Sequence, residues 1–190
     1  MSFLGKLFSP KPAESKNLKE EKVSLADYQG KVTEAEGDRL VAGAHVLAVG
    51  VGFGVDRHRR DAHLTRGLRD AVELVGHRLG LAPETRVVLF AGKLVAAKQP
   101  GALLTAYLAT PRSGTALVFV GEGDEKAALQ AQASGAPDVH FLPFANQSEM
   151  PSRYLLADLF VLPSRGLYET WGLAVNEAMH LGVPALVSDL

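Results

Sequence analysis

Five short apolar runs constrain this chain more than any other feature. They fall at 87–91 (VVLFA), 116–120 (ALVFV), 139–142 (VHFL), 159–162 (LFVL) and 183–187 (VPALV). Apart from His140 and Pro184 they are wholly apolar, as expected of strands buried on both faces of a parallel sheet. Helical patterns separate them, at 102–109, 125–133, 148–157 and 172–180. Parallel strands need such crossovers, so the alternation predicts an α/β fold, a doubly wound parallel sheet. Stop signals mark the boundaries. Gly92 and Pro163 end strands; Gly182 and Pro184 end the last helix. Asp124, in the turn Gly121-Glu-Gly123-Asp124, is the expected N-cap of the helix that follows.

In a sheet of this kind the order of the five runs is 3-2-1-4-5. A ligand then sits beyond the carboxyl ends of the strands, where the order reverses. That places the loop at 92–98 opposite the loop at 164–171. The first carries two cations, Lys93 and Lys98. The second leads through Glu169 and Trp171 to the last helix, which carries Glu177. Leu173, Glu177 and Leu181 are spaced to share one helix face, flanked by Ala174 and Ala178, so Glu177 is expected on or beside the stripe that buries. A buried carboxylate without a partner costs several kcal/mol, so it needs a lysine, an arginine or a polar ligand. The N-terminus of the same helix, near Gly172 and Leu173, is suited to anions. Carboxylates that accept sugar hydroxyls, beside a helix end that accepts phosphate, point to a sugar phosphate or a nucleotide sugar. Plainer roles exist for each residue: solvated loop lysines, a strand-end glycine turn, a buried ion pair at Glu177 and an exposed loop carboxylate at Glu169.

The stretch PSRGLYETWGLAVNEAMHLGVPALVSD, with Glu169-x7-Glu177 inside it, resembles the E-x7-E signature of the retaining glycosyltransferases of family four. The stretch Gly92-Lys93-Leu94-x3-Lys98 is similar to that family's G-[RK]-L-x(3)-K. There, glycine often follows the second lysine; this chain has Gln99. The resemblance covers roughly residues 87–190. It implies one Rossmann-like half of a GT-B enzyme, the half that binds the nucleotide sugar, incomplete at its C-terminus. By the same resemblance Lys93 and Lys98 hold the donor diphosphate, and Lys98 offsets charge on the leaving group. Glu177 accepts both ribose hydroxyls, and Glu169 contacts the transferred sugar near its anomeric carbon. Gly92 lets the backbone approach the ligand, and Gly172 and Leu173 present N–H groups. The activity implied is transfer of a sugar from a nucleotide-diphosphate sugar to a sugar or lipid-linked acceptor, with retention and without a metal or other cofactor. Residues 141–144 (FLPF) lie where the family places base contacts.

The rest of the chain bounds this picture. Its 190 residues suffice for one domain and a tail. Residues 86–190 would form the nucleotide-sugar domain. Residues 41–85 read as a linker with a remnant strand at 41–49 and a helix at 63–80. Residues 1–40 read as a mobile extension; Phe3, Leu4, Leu7 and Phe8 beside Lys6 and Lys11 would allow at most a peripheral membrane contact. The glycines at 50, 52 and 54 do not make G-x-G-x-x-G and are taken as a strand end and turn. Formal net charge is −1, which implies no nucleic-acid partner. The charge is uneven: residues 56–98 carry a net +4 and residues 99–190 a net −5. The chain has no cysteine and no apolar run of membrane-spanning length, which fits a cytoplasmic location. His140 and His180 lack partners at ligand spacing, so no metal site is expected. An acceptor-binding domain facing this one is expected on a separate segment or subunit. The competing reading is a non-catalytic nucleotide-sugar binding module, or a partner subunit or fragment that lacks the acceptor domain.

Overall fold

The computed structural model describes residues 46–49, 64–165 and 172–188. The expected mobile extension at 1–40 lies outside them, as do Glu169 and Trp171. The elements are β1 (Val46–Val49), α1 (Arg66–Arg78), β2 (Arg86–Ala91), α2 (Pro100–Leu108), β3 (Thr115–Val120), α3 (Lys126–Gln132), β4 (Val139–Leu142), α4 (Met150–Leu156), β5 (Leu159–Leu162), α5 (Leu173–His180) and β6 (Ala185–Ser188). A 3₁₀ turn, Ala96–Lys98, precedes α2.

The sheet order is β1-β6-β5-β2-β3-β4. Strands β2 to β6 run parallel to one another, in the expected 3-2-1-4-5 arrangement. The order reverses between β2 and β5, which are adjacent. β1 adds an antiparallel edge strand, with Val46 opposite Ser188 and Val49 opposite Ala185. Parallel crossovers are right-handed, so winding outward in both directions from β2 and β5 puts helices on both faces. Accordingly α2 packs with α3, and α4 packs with both α1 and α5.

The strands bury as their composition predicts. All four residues of β5 are buried, and Leu89, Phe90, Leu117, Val118, Phe119 and Phe160 are fully so. Rings tie neighbouring strands together: Phe90 tilts on Phe119 at 5.6 Å, and Phe119 stacks on Phe141 at 5.2 Å. β4, at the sheet edge, is only half-buried throughout. Residue Gly182 takes φ 74° and ends α5, with the Val183 N–H returning to Ala178 O at 2.9 Å. β6 begins at Ala185 because Pro184 has no N–H for the ladder, although its carbonyl still accepts from Phe160 N–H at 2.9 Å. The expected Asp124 cap does not form. α3 starts at Lys126 behind Glu125, and no side chain caps it. The Glu125 N–H instead donates to Leu94 O at 3.0 Å, tying the turn to the loop after β2.

Candidate functional site

The carboxyl ends of β2 and β3 are joined by backbone at very close range. Gly92 N–H donates to Val120 O at 3.0 Å, and Leu94 N–H to Glu122 O at 2.8 Å. A β-carbon on Gly121 would lie 2.0 Å from Gly92 O, and one on Gly123 would lie 2.3 Å from Leu94 O. Neither distance is tolerable, so the turn 121–124 is glycine-rich because another backbone occupies the space a side chain would need. The sequence pattern marks this stretch as a turn with a helix cap at Asp124; the contact across strands has no signal along the chain.

This clamp fixes the loop that carries the two lysines. Leu94 is fully buried and anchors it, while Lys93 beside it is exposed. Lys98 is half-buried at the end of the 3₁₀ turn, and its side chain folds back over the end of β2. A β-carbon on Gly92 would sit 3.4 Å from both the Cδ and the Nζ of Lys98. Gly92 has φ 153° and leaves that approach open. Gln99, next in sequence, has φ 50°, the left-handed region, and is the one non-glycine residue there among those described. A glycine at this place relieves a conformational cost that Gln99 bears.

The loop after β5 meets this loop directly. Arg165 N–H donates to Ala97 O at 2.8 Å, and the Ser188 hydroxyl donates to Ser164 O. The two loops expected to face each other therefore touch, the end of the first at Ala97 meeting the start of the second at Arg165. Glu169, on the continuation of the second loop, lies outside the described residues. Beyond it, Gly172 takes φ 50° and opens α5, and its carbonyl accepts from the Val175 and Asn176 N–H groups at 2.8 and 3.0 Å. Because α5 follows β5 in a right-handed crossover, its N-terminus lies at the carboxyl edge of the sheet, on the side of the two loops.

Leu173 departs from expectation. It is 64 % exposed, and the fully buried residue of α5 is Ala178. The helix thus turns its alanine side to the sheet, and Glu177 sits half-buried beside it, as expected of a residue on or beside the burying stripe. Among the described residues its partner is neither lysine nor arginine. The Tyr154 hydroxyl donates to Glu177 Oε2 at 2.7 Å. Tyr154, on α4, is 2 % exposed and packs edge-on against Phe160 at 5.8 Å. Burial, then the hydrogen bond to Glu177, raise its hydroxyl well above the ordinary phenol range, so it remains a donor. Nothing in the helix pattern of α4 singled out Tyr154; a buried tyrosine must place its hydroxyl somewhere, and that is the one available hint.

Asp158 is structural. Its carboxylate accepts the Val87 N–H at 2.8 Å while its own N–H donates to Val87 O at 2.8 Å, pinning β5 to β2 at their amino ends. Phe144, after β4 on the carboxyl edge, is 75 % exposed. His140 is half-buried on β4, and burial lowers its pKa. Among the described residues no three histidine, aspartate, glutamate or cysteine side chains cluster as a metal site would require. No helix among them is long and apolar enough to cross a membrane.

Known proteins resemble this chain. A D-inositol 3-phosphate glycosyltransferase of Jonesia denitrificans is 32 % identical over 159 residues, 77 % of this chain and 35 % of its own length. The enzyme of the same name from Streptomyces bingchenggensis is 30 % identical over 201 residues, 96 % of this chain and 42 % of its own. Thus the chain spans about two fifths or less of either relative. Anabaena HepE, solved with UDP and glucose, superimposes with a TM-score of 0.53 at 24 % identity, over 61 % of this chain and 32 % of its own, a likeness of fold. The sequence profile of glycosyl transferases group 1 matches residues 72–190, more than half the chain and all of the sheet from β2 onward. On that match, the chain belongs to the group 1 glycosyl transferases.

Proposed function

We propose that this chain supplies the donor-binding half of a glycosyltransferase acting on a nucleotide-diphosphate sugar, with retention at the anomeric carbon and without a metal. The observation that supports it most is the Lys98 side chain folded over Gly92 at the strand-order switch, in a loop bonded to the one that leads into α5. In this reading Lys93 and Lys98 meet the diphosphate. As the sugar leaves, negative charge grows on the nucleoside diphosphate, and a fixed ammonium group offsets it in place of a metal ion. The N–H groups at Gly172 and Leu173 add a second anionic contact. Glu177 accepts the ribose hydroxyls, and Glu169 orients the transferred sugar. The acceptor, a sugar or a lipid-linked sugar, meets the donor against a facing domain. Group 1 membership and the UDP and glucose bound by Anabaena HepE support this donor class.

The reading is tested by calorimetric titration of the purified chain with UDP, GDP, ADP and their glucose or mannose conjugates, with and without EDTA. Binding of at least one pair, unchanged by EDTA, is expected. Failure to bind any of them overturns the proposal. Where a donor binds, transfer is followed by proton NMR against a panel of sugar acceptors; an inverted anomeric product refutes retention. Binding with no turnover on any acceptor, with or without added partner protein, narrows the reading to a binding module.

A further inference from the structure

We infer that Tyr154 is a positioning residue that holds Glu177 in place to receive the two hydroxyls of a nucleotide ribose. The inference rests on the donor-site reading above and adds to it a residue on a different helix. A glutamate side chain has three rotatable bonds and loses considerable freedom when it is fixed on a ligand. Tyr154 removes that cost beforehand. Its ring is buried between α4 and β5, edge-on to Phe160, so its hydroxyl has one place to be. From there it donates to Glu177 Oε2 at 2.7 Å.

The choice of partner matters chemically. An arginine in the same place would take both carboxylate oxygens in a bidentate pair and compete with any diol. A tyrosine hydroxyl occupies one of roughly four acceptor positions on a carboxylate and leaves the charge uncompensated. The remaining positions suit two vicinal hydroxyls. Burial and the carboxylate itself keep the phenol protonated, so the donor does not switch off as pH rises toward the ordinary phenol range. Position fits as well. Glu177 lies one turn, about 6 Å, along α5 from Leu173. A helix end placed against a diphosphate would therefore bring the adjoining ribose level with Glu177.

The experiment uses the purified chain, whichever of UDP, GDP or ADP it binds, and the matching 2′,3′-dideoxynucleoside diphosphate. Wild type, Tyr154→Phe, Glu177→Gln and the double variant are titrated with both, and their melting temperatures are recorded. Wild type is expected to prefer the ribo form. Tyr154→Phe should lose about fivefold in affinity for the ribo form, as for one hydrogen-bonded group, and nothing for the dideoxy form. The double variant should bind no worse than Glu177→Gln alone, because the two residues act as one unit. Suppose Glu177→Gln abolishes the ribose preference while Tyr154→Phe leaves it intact, or weakens both ligands equally. Then Tyr154 is merely structural and the inference fails. Additive losses in the double variant, or a Tyr154→Phe chain that does not fold while Glu177→Gln keeps full ribose preference, overturn it too. If the wild-type chain shows no ribose preference, the role given to Glu177 falls first, and this inference with it.

Discussion

The two ends of the sheet carry similar polar chemistry and use it in opposite ways. At the amino end the polar groups satisfy one another. The Tyr107 hydroxyl donates to Asp138 Oδ2 at 2.9 Å and lies 3.2 Å from the Thr115 hydroxyl. Arg112 bridges to Asp138 Oδ1 at 3.1 Å and lies over the Tyr107 ring at 5.9 Å. Burial raises the Tyr107 hydroxyl well above the ordinary phenol range. Asp158 closes the same end by taking a backbone N–H of β2. At the carboxyl end backbones crowd through Gly92, Gly121 and Gly123, a left-handed Gln99 bears strain, and Lys93, Phe144 and Leu173 are exposed. A self-satisfied edge holds a fold together. An edge with glycine clearances, a strained turn and an exposed Lys93 is one shaped for something else to complete. The comparison teaches that substitutions at the first edge should move stability, and those at the second should move binding, unless they break the backbone clamp.

The clamp is where the largest effect is expected. Gly121→Ala puts a β-carbon onto Gly92 O and should cost about 3 kcal/mol in a denaturant titration, the upper range for overpacking. Nucleotide affinity should fall with it, because the lysine loop moves. Retained stability would mean the two loops separate freely, and the contrast between the edges would lose its mechanical basis. Next is the amino edge. Asp138→Ala leaves the Tyr107 hydroxyl and Arg112 short of an acceptor and should cost about 2 kcal/mol. Affinity for a nucleoside diphosphate should be unchanged; a matching loss of affinity would show that the edges are coupled. The smallest effect belongs to Gln99→Gly. It relieves a left-handed glutamine at the expense of a freer unfolded chain, for a net gain of about 0.5 kcal/mol. Thermal melting beside titration would sharpen the picture: a gain in stability with lost affinity would mean that the strain itself serves the site.

Much of this was legible along the chain, for reasons that the structure makes plain. The runs at 139–142 and 159–162 match β4 and β5 to the residue, because apolarity and length are local properties. The alternation of strands and helices gives the doubly wound class; the 3-2-1-4-5 order taken with that class holds, and with it the meeting of the two loops, marked by Arg165 on Ala97. What escaped was whatever depends on partners distant in sequence. Periodicity puts Leu173 on a burying face, but it gives a stripe and not its angle to the sheet; the sheet takes Ala178. Glu177 was seen to need a partner, but Tyr154 lies 23 residues away on another helix. The Asp124 cap failed because the loop after β2 engages that turn instead. The Gln99 departure from the family's glycine had a conformational meaning that only its φ exposes.

The central claim is that the carboxyl edge is a diphosphate site built around Lys98. It is tested most directly by titrating wild type and Lys98→Ala with one nucleoside diphosphate and with the bare nucleoside of the same base. Lys98→Ala should weaken the diphosphate by about tenfold or more, as for a lost charged hydrogen bond, and leave the nucleoside within about twofold. Equal losses for both ligands, or no loss for either, would contradict the account.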